Sequence, residues 1–184
     1  SYPDYEEPQG QITMWLEMFD KNEEQLVDVW NIKPQPETTL QCRFIVCETD
    51  GMENMDISYM FSNCISFSSV IFENFATTVE DSNHMFDNCK SLISIELNSI
   101  NTTNDKNMSY MFSNCTSIKQ LNIDNYDIRT VKDLSYMFYN CYSLQELNKS
   151  PTLFQPDIHT NASITDMFFN CSDDITPIWY HNMT

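Results

Sequence analysis

The chain has 184 residues, a mass of 21.6 kDa and a formal charge of −18, from 27 acidic and nine basic residues. This length suits one domain, and an aromatic content of 13% is too high for a disordered chain. The negative charge repels phosphate groups, so we expect neither nucleic acid nor an anionic membrane surface as a partner. Two glycines exclude glycine-rich phosphate-binding loops. No apolar run approaches the ~20 residues of a membrane span, which predicts no membrane insertion.

The first 37 residues do not match the rest of the chain and are predicted to form an N-terminal cap segment. Apolar residues alternate over 12–18, and a second apolar stretch covers 26–32 after a polar turn. A β-hairpin fits this pattern. A helix fits it as well, with an apolar face formed by Trp15, Phe19, Leu26 and Trp30.

The string Met-Phe-x-Asn-Cys occurs five times, and its cysteines are separated by 25, 26, 26 and 30 residues. A period of this length is typical of solenoids. Within each period the apolar residues before the cysteine have helical spacing, and a following Leu-x-x-Leu-x-Leu run alternates like a short strand. Over 38–184 we therefore predict an α/β solenoid, a right-handed, leucine-rich-repeat-like stack of strand plus short helix units. Its parallel sheet lies on one face and a C-terminal strand caps it. The strands are expected near 43–47, 68–72, 93–97, 119–123 and 144–148.

The repeated residues are predicted to be structural. Met and Phe would fill the space between helices and sheet, while Asn would hydrogen-bond the backbone of the turns. Free, inward thiols are favoured for the cysteines because disulfides would distort a regular ladder. Disulfides between neighbouring copies also fit the ~4.8 Å strand spacing. The expected ladder cysteines are Cys64, Cys89, Cys115 and Cys141.

The run from Asn125 to Leu144, which includes Tyr136-Met137-Phe138-Tyr139-Asn140-Cys141, resembles the BspA-type leucine-rich repeat of bacterial and protist surface proteins. The resemblance covers about 42–180, and it departs from the family pattern at 82–85 and in a longer linker over 149–163. It implies surface exposure and adhesion or protein binding, without catalysis.

Catalytic and metal-binding chemistry has little support in the sequence. Three histidines, His84, His159 and His181, lie far apart without a nucleophile motif, and the cysteines lack the two close pairs of a zinc site. The stretch 124–127 offers oxygen ligands for calcium, but it lacks the glycine of a calcium loop, so a solvated acidic surface is the better interpretation. We expect no enzyme activity, no metal and no cofactor.

Seven Asn-x-Ser/Thr sequons exceed the roughly three or four that composition predicts. In a eukaryote they indicate secretion with N-glycans, whereas in a bacterium they carry no such meaning. Asn114 and Asn170 belong to the repeated string and are expected to be buried. The predicted glycosylation sites are Asn101, Asn107, Asn148, Asn161 and Asn182.

These patterns predict a non-catalytic module, extracellular or on the cell surface, that binds a protein or glycan through the outward residues of its sheet. The alternative is a structural subunit of an extracellular glycosylated filament, in which copies of the chain assemble end to end. The predicted binding residues are Ser69, Ile71, Ser94, Glu96, Gln120, Asn122, Glu146 and Asn148.

Overall fold

A computed structural model of the chain describes residues 13–19, 40–48, 54–73, 78–97, 100–149 and 162–181. Part of the predicted cap, including 26–32, and most of the linker lie outside these residues, so the division at residue 37 stays a prediction. The described elements are β1 (Thr13–Phe19), β2 (Leu40–Glu48), β3 (Met55–Asp56), β4 (Phe67–Glu73), β5 (Val79–Asp81), β6 (Ser94–Glu96), β7 (Gln120–Ile123), β8 (Glu146–Lys149) and α1 (Ile178–His181).

The strands form one four-stranded sheet, in the order β1-β2-β4-β6, and two pairs, β3-β5 and β7-β8. Neighbours β2, β4 and β6 are parallel, as are β7 and β8, and their register joins residues one repeat apart, such as Val70 with Ile95 and Leu121 with Leu147. Strand β1 runs antiparallel to β2. Strands therefore occur near all five predicted positions, but their pairing stops between β6 and β7.

The prediction of a solenoid of strand plus helix units is wrong. Among the described residues the repeats contain no helix, and the parallel strands are divided between a larger sheet and two separate pairs rather than forming one parallel sheet on a single face. An antiparallel strand, β1, also joins the larger sheet. At the C-terminal end of the described chain the four-residue helix α1 stands where a capping strand was expected.

Left-handed backbone conformations prevent the repeated string from forming helices. The asparagine of each copy has φ between 58° and 64°, and the residue four positions earlier also has positive φ, from 49° at Asp166 to 61° at Tyr136. Residues with positive φ do not fit in a right-handed helix, where every φ is negative. Asparagine suits the position because its short polar side chain tolerates this conformation better than most. The helical spacing of the apolar residues therefore belongs to a series of tight turns.

Hydrogen bonds between copies take the place of helical ones. We call the five segments 57–64, 82–89, 108–115, 134–141 and 164–171 the turn ladder. Within each segment some amides bond locally, as Cys115 N does to Phe112 O at 3.1 Å, while alternate amides donate to the next copy, as Phe112 N does to Met137 O at 2.9 Å. Four hydrogen bonds of 2.7–3.1 Å cross each junction. The stacked turns thereby satisfy backbone groups that would otherwise be buried without partners.

The core lies between the turn ladder and the strands. Phenylalanines one repeat apart stack in a column with ring centroids 5.3–5.8 Å apart. The predicted burial of the repeated Met and Phe side chains is confirmed, except that Met60 is half-buried. Tyr180 covers the last ring of the column, Phe168, with ring centroids 5.3 Å apart and nearly perpendicular planes. The column consists of Phe61, Phe86, Phe112, Phe138 and Phe168.

Candidate binding surface

A groove of about 500 Å³ lies on the strand side of the protein, and we call it the strand groove. It extends across β6, β7 and β8, over the place where strand pairing stops. The buried side chains of Ile95 and Leu121 belong to its lining, and the rest of its wall is mostly polar. Three successive copies therefore contribute to one concave surface.

The structure places all eight predicted binding residues on the outward side of the strands, exposed or half-buried. Ser69, Ile71 and Glu96 lie on β4 and β6 outside the strand groove. The structure brings the other five together along its wall. These are Ser94, Gln120, Asn122, Glu146 and Asn148.

Sequence reasoning missed three exposed residues of the groove, Ile93, Lys119 and Gln145. Each is the first variable residue of a Leu-x-x-Leu motif, immediately before the strand begins. Period-two alternation assigns an outward direction to the second variable residue. The Leu-x-x-Leu spacing could have identified them. Where two residues lie between two inward apolar ones, the chain bends and both of the intervening side chains face solvent. Ile93 is 57% exposed and gives the groove an apolar edge.

Hydrogen bonding within the strand groove leaves polar groups for a ligand. Gln120 Nε2 donates to Glu146 Oε2 at 2.9 Å, across a directly paired position of β7 and β8. Asn122 Oδ1 accepts from Asp124 N at 3.1 Å. The amide nitrogen of Asn122 and the ammonium group of Lys119 contact no hydrogen-bond or ion-pair partner among the described residues. The groove thus presents donors beside a carboxylate, which suits a polar ligand.

The cysteines of the turn ladder are inward thiols, as favoured from the sequence. All five described here are free, and four donate to the phenylalanine carbonyl of the preceding copy, for example Cys115 Sγ to Phe86 O at 3.2 Å. Burial raises the pKa of the Cys89 and Cys171 thiols to about 12. Such thiols carry no thiolate at neutral pH and are unsuited to nucleophilic catalysis. The side chains of Cys42 and Cys47 lie outside the description.

Side-chain hydrogen bonds link most of the repeated asparagines, with a gap between Asn88 and Asn114, where Asn114 Nδ2 donates to Asp87 Oδ1 at 3.4 Å instead. Asn88 Nδ2 donates to Asn63 Oδ1 at 2.7 Å, and Asn140 Nδ2 donates to Asn114 Oδ1 at 2.9 Å. The pattern continues from Asn170 to Asn140 at 3.1 Å. Asn114 is half-buried and Asn170 is exposed, so the expectation that both are buried is wrong.

The predicted glycosylation sites differ in their surroundings. Asn101 and Asn148 are exposed, and Asn148 belongs to the strand groove. Asn107 is half-buried, and its Oδ1 accepts hydrogen bonds from Ser109 N at 3.1 Å and Ser109 Oγ at 2.8 Å. Asn161 and Asn182 lie outside the described residues.

A buried polar cluster lies beside the core. Asp105 is fully buried, accepts a hydrogen bond from the Ser82 hydroxyl, and accepts another from Asn107 N at 3.0 Å. Burial raises the pKa of the Asp105 carboxyl from 3.8 to about 6, against the effect of these hydrogen bonds. The hydroxyl of Tyr126 is buried without a hydrogen-bond partner among the described residues.

Two further findings concern metal binding and membrane insertion. Among the described residues, no group of three or more His, Cys, Asp or Glu side chains is arranged to hold a metal ion. Within 124–127, Asp127 is engaged by Arg129, whose hydrogen bonds lower the pKa of the Asp127 carboxyl. None of the helical structure described has the length and apolar character needed to cross a membrane.

Together these features define a repeat protein whose copies are joined by backbone, phenylalanine and thiol ladders and, at most junctions, by asparagine side chains. The chain belongs to the DUF285 family, described as a Mycoplasma protein of unknown function, whose family model matches residues 55–178. No curated protein and no solved structure matches the chain significantly.

Proposed function

We propose that the chain is a non-catalytic binding module, secreted or displayed on a cell surface, that holds a polar protein or glycan ligand in the strand groove. One observation carries the proposal: five outward residues from three successive copies line a single groove. Repeat proteins commonly bind partners through a surface built from equivalent positions of neighbouring units. The groove lies over the break between β6 and β7, where no strand pairing occupies the facing edges.

The chemistry of the strand groove favours a ligand rich in hydroxyl or amide groups. Asn122 and Lys119 supply donors, Glu146 supplies an acceptor, and Ile93 offers an apolar edge to a sugar ring or an aliphatic side chain. Ligand sites typically combine apolar contact with a small number of oriented polar groups. A purely apolar ligand would leave these polar groups without partners, which is unfavourable.

We also propose that this family is related to the BspA-type surface proteins. The support is the sequence pattern, in which Met-Phe-x-Asn-Cys units recur in register over most of the chain. Adhesion, and a position outside the cell, follow from that relation. N-glycans would be added only in a eukaryotic host.

The experiment is a binding screen followed by a steric block. The chain is applied to a glycan array and to a panel of immobilised extracellular-matrix proteins. The Asn122→Trp variant, whose indole fills the groove, should then weaken binding of each positive ligand that carries no acidic sugar by ~10-fold or more. Lys90→Trp, at an exposed turn outside the groove, is the matched control and should bind like wild type. Full binding by Asn122→Trp, with an unchanged melting temperature, would refute the proposal.

The filament alternative stays a prediction with less support. Tyr180 packs against Phe168, so the position where the phenylalanine column would continue into another copy is already occupied. Sedimentation of the purified chain separates the two functions, because a binding module gives a monomer and a filament gives large rods.

A further inference from the structure

A second groove, of about 440 Å³, concentrates positive charge on a strongly acidic protein. We call it the cationic groove. Three of the nine basic residues of the chain, Lys106, Arg129 and Lys132, line it. None of its lining residues belongs to the strand groove. The remaining lining residues are Asn54, Glu80, Asn104 and Thr130.

The two lysines occupy equivalent positions on neighbouring copies. Lys106 N donates to Glu80 O at 3.0 Å, and Lys132 N donates to Lys106 O at 2.8 Å, so these three residues form one row. The Lys106 ammonium pairs with the Glu80 carboxylate. Among the described residues no carboxylate is in ion-pair contact with Lys132. Like charges at adjacent positions of such a row repel each other, and a bound anion would remove that repulsion.

On the other walls, Arg129 and Asn54 keep donor groups for a ligand, while Asn104 and Thr130 hold the walls in place. Arg129 holds Asp127 through Nε, at 2.9 Å from Oδ1, and through Nη2, which leaves Nη1 without an acceptor among the described residues. Asn104 Nδ2 donates to Asn54 Oδ1 at 2.9 Å. This bond uses the side-chain oxygen of Asn54 and does not use its amide hydrogens. The Thr130 hydroxyl donates to Asp105 O at 2.8 Å and fixes this wall to the buried cluster.

We propose that the cationic groove binds the anionic group of an acidic sugar, either a carboxylate or a sulfate ester. A guanidinium and two ammonium groups give charge-assisted hydrogen bonds to such oxygens. The lining contains no apolar side chain, so it offers hydroxyl-rich sugar rings polar partners but gives the apolar residues of a peptide no contact. It contains no aromatic ring for base stacking, and the charge of −18 opposes a dense polyanion such as nucleic acid. At physiological salt the screening length is ~8 Å, so the local cations decide the contact.

Calorimetric titration tests the proposal with three defined probes that differ only in the anionic group: galactose 6-sulfate, galacturonate and neutral galactose. At least one acidic probe should bind and the neutral one should not. A sulfate-only or carboxylate-only response identifies the anion, and raising the salt concentration should weaken binding.

Charge-removing variants locate the site. The double variant Lys106→Gln/Lys132→Gln should raise the Kd of the acidic probe by ~10-fold or more. Lys90→Gln, which removes one charge from an exposed turn outside both grooves, is the control and should bind like wild type. Asn122→Trp in the strand groove should also leave this binding unchanged, which separates this proposal from the proposed function. Binding of neither acidic probe, or an equal loss in Lys90→Gln, would overturn it.

Discussion

Replacing Asn114 by Gly and by Ala separates a left-handed turn from a helix, because the two structures predict opposite orders of stability. Asn114 has a φ of 59°. In a helix interior Ala is more stable than Gly by about 1 kcal/mol. At positive φ the order reverses, since Gly has no Cβ and an L-residue in this region loses roughly 1–2 kcal/mol.

The magnitude follows from the contacts of the Asn114 side chain. Its Oδ1 accepts from Asn140 Nδ2 at 2.9 Å, and its Nδ2 donates to Ser113 Oγ at 2.9 Å. Both variants lose these two hydrogen bonds, each contributing about 0.5–1.5 kcal/mol. We expect Asn114→Gly to lose about 1–3 kcal/mol, and Asn114→Ala, which adds the backbone strain, to lose about 2–5 kcal/mol.

Urea and thermal unfolding followed by circular dichroism measure both variants. For a chain of this size each kcal/mol corresponds to about 2–4 °C in Tm. Lys90→Ala and Lys90→Gly form the control pair, because Lys90 is exposed and has no positive φ, so there Ala should be at least as stable as Gly. If Asn114→Ala proves at least as stable as Asn114→Gly, the turn ladder is incorrect at this position, and a clear advantage for Ala would indicate a helix.

Three further substitutions test the interior by urea unfolding. Cys115→Ser should lower the free energy of unfolding by about 1–3 kcal/mol because it loses apolar burial. The same change at the half-buried Cys64 should lower it less, and equal losses would show that burial does not set the cost. Tyr126→Phe should keep or increase stability, by up to about 1 kcal/mol, because the hydroxyl has no described partner; a clear loss would reveal a hydrogen bond to that hydroxyl. The raised pKa of Asp105 stabilises the fold below about pH 4, and this contribution is lost as pH rises through about 6. Asp105→Asn should therefore gain up to about 3 kcal/mol relative to wild type between pH 4 and 7, and a pH-independent difference would contradict it.

The sequence alone determined the repeat and the direction of its side chains. The spacing of five identical strings predicted the period, and the Leu-x-x-Leu-x-Leu alternation assigned Leu121 inward and Gln120 outward, as the structure has them. It also predicted the buried Met and Phe residues and the inward thiols. These properties depend on local order along the chain, because alternation and periodic burial are visible in neighbouring residues.

The tertiary structure decided the conformation of the repeated segments. Apolar residues at helical spacing fit a helix and a series of tight turns equally, and the choice depends on where the backbone hydrogen bonds go. Here alternate amides, such as Phe112 N, find acceptors about 25 residues away, on the next copy. The absence of pairing between β6 and β7 also depends on how the copies pack. The same is true of the groove that brings Lys106, Arg129 and Lys132 together. Contacts between residues a whole repeat apart leave no local pattern in the sequence, so they are decided only when the copies pack together.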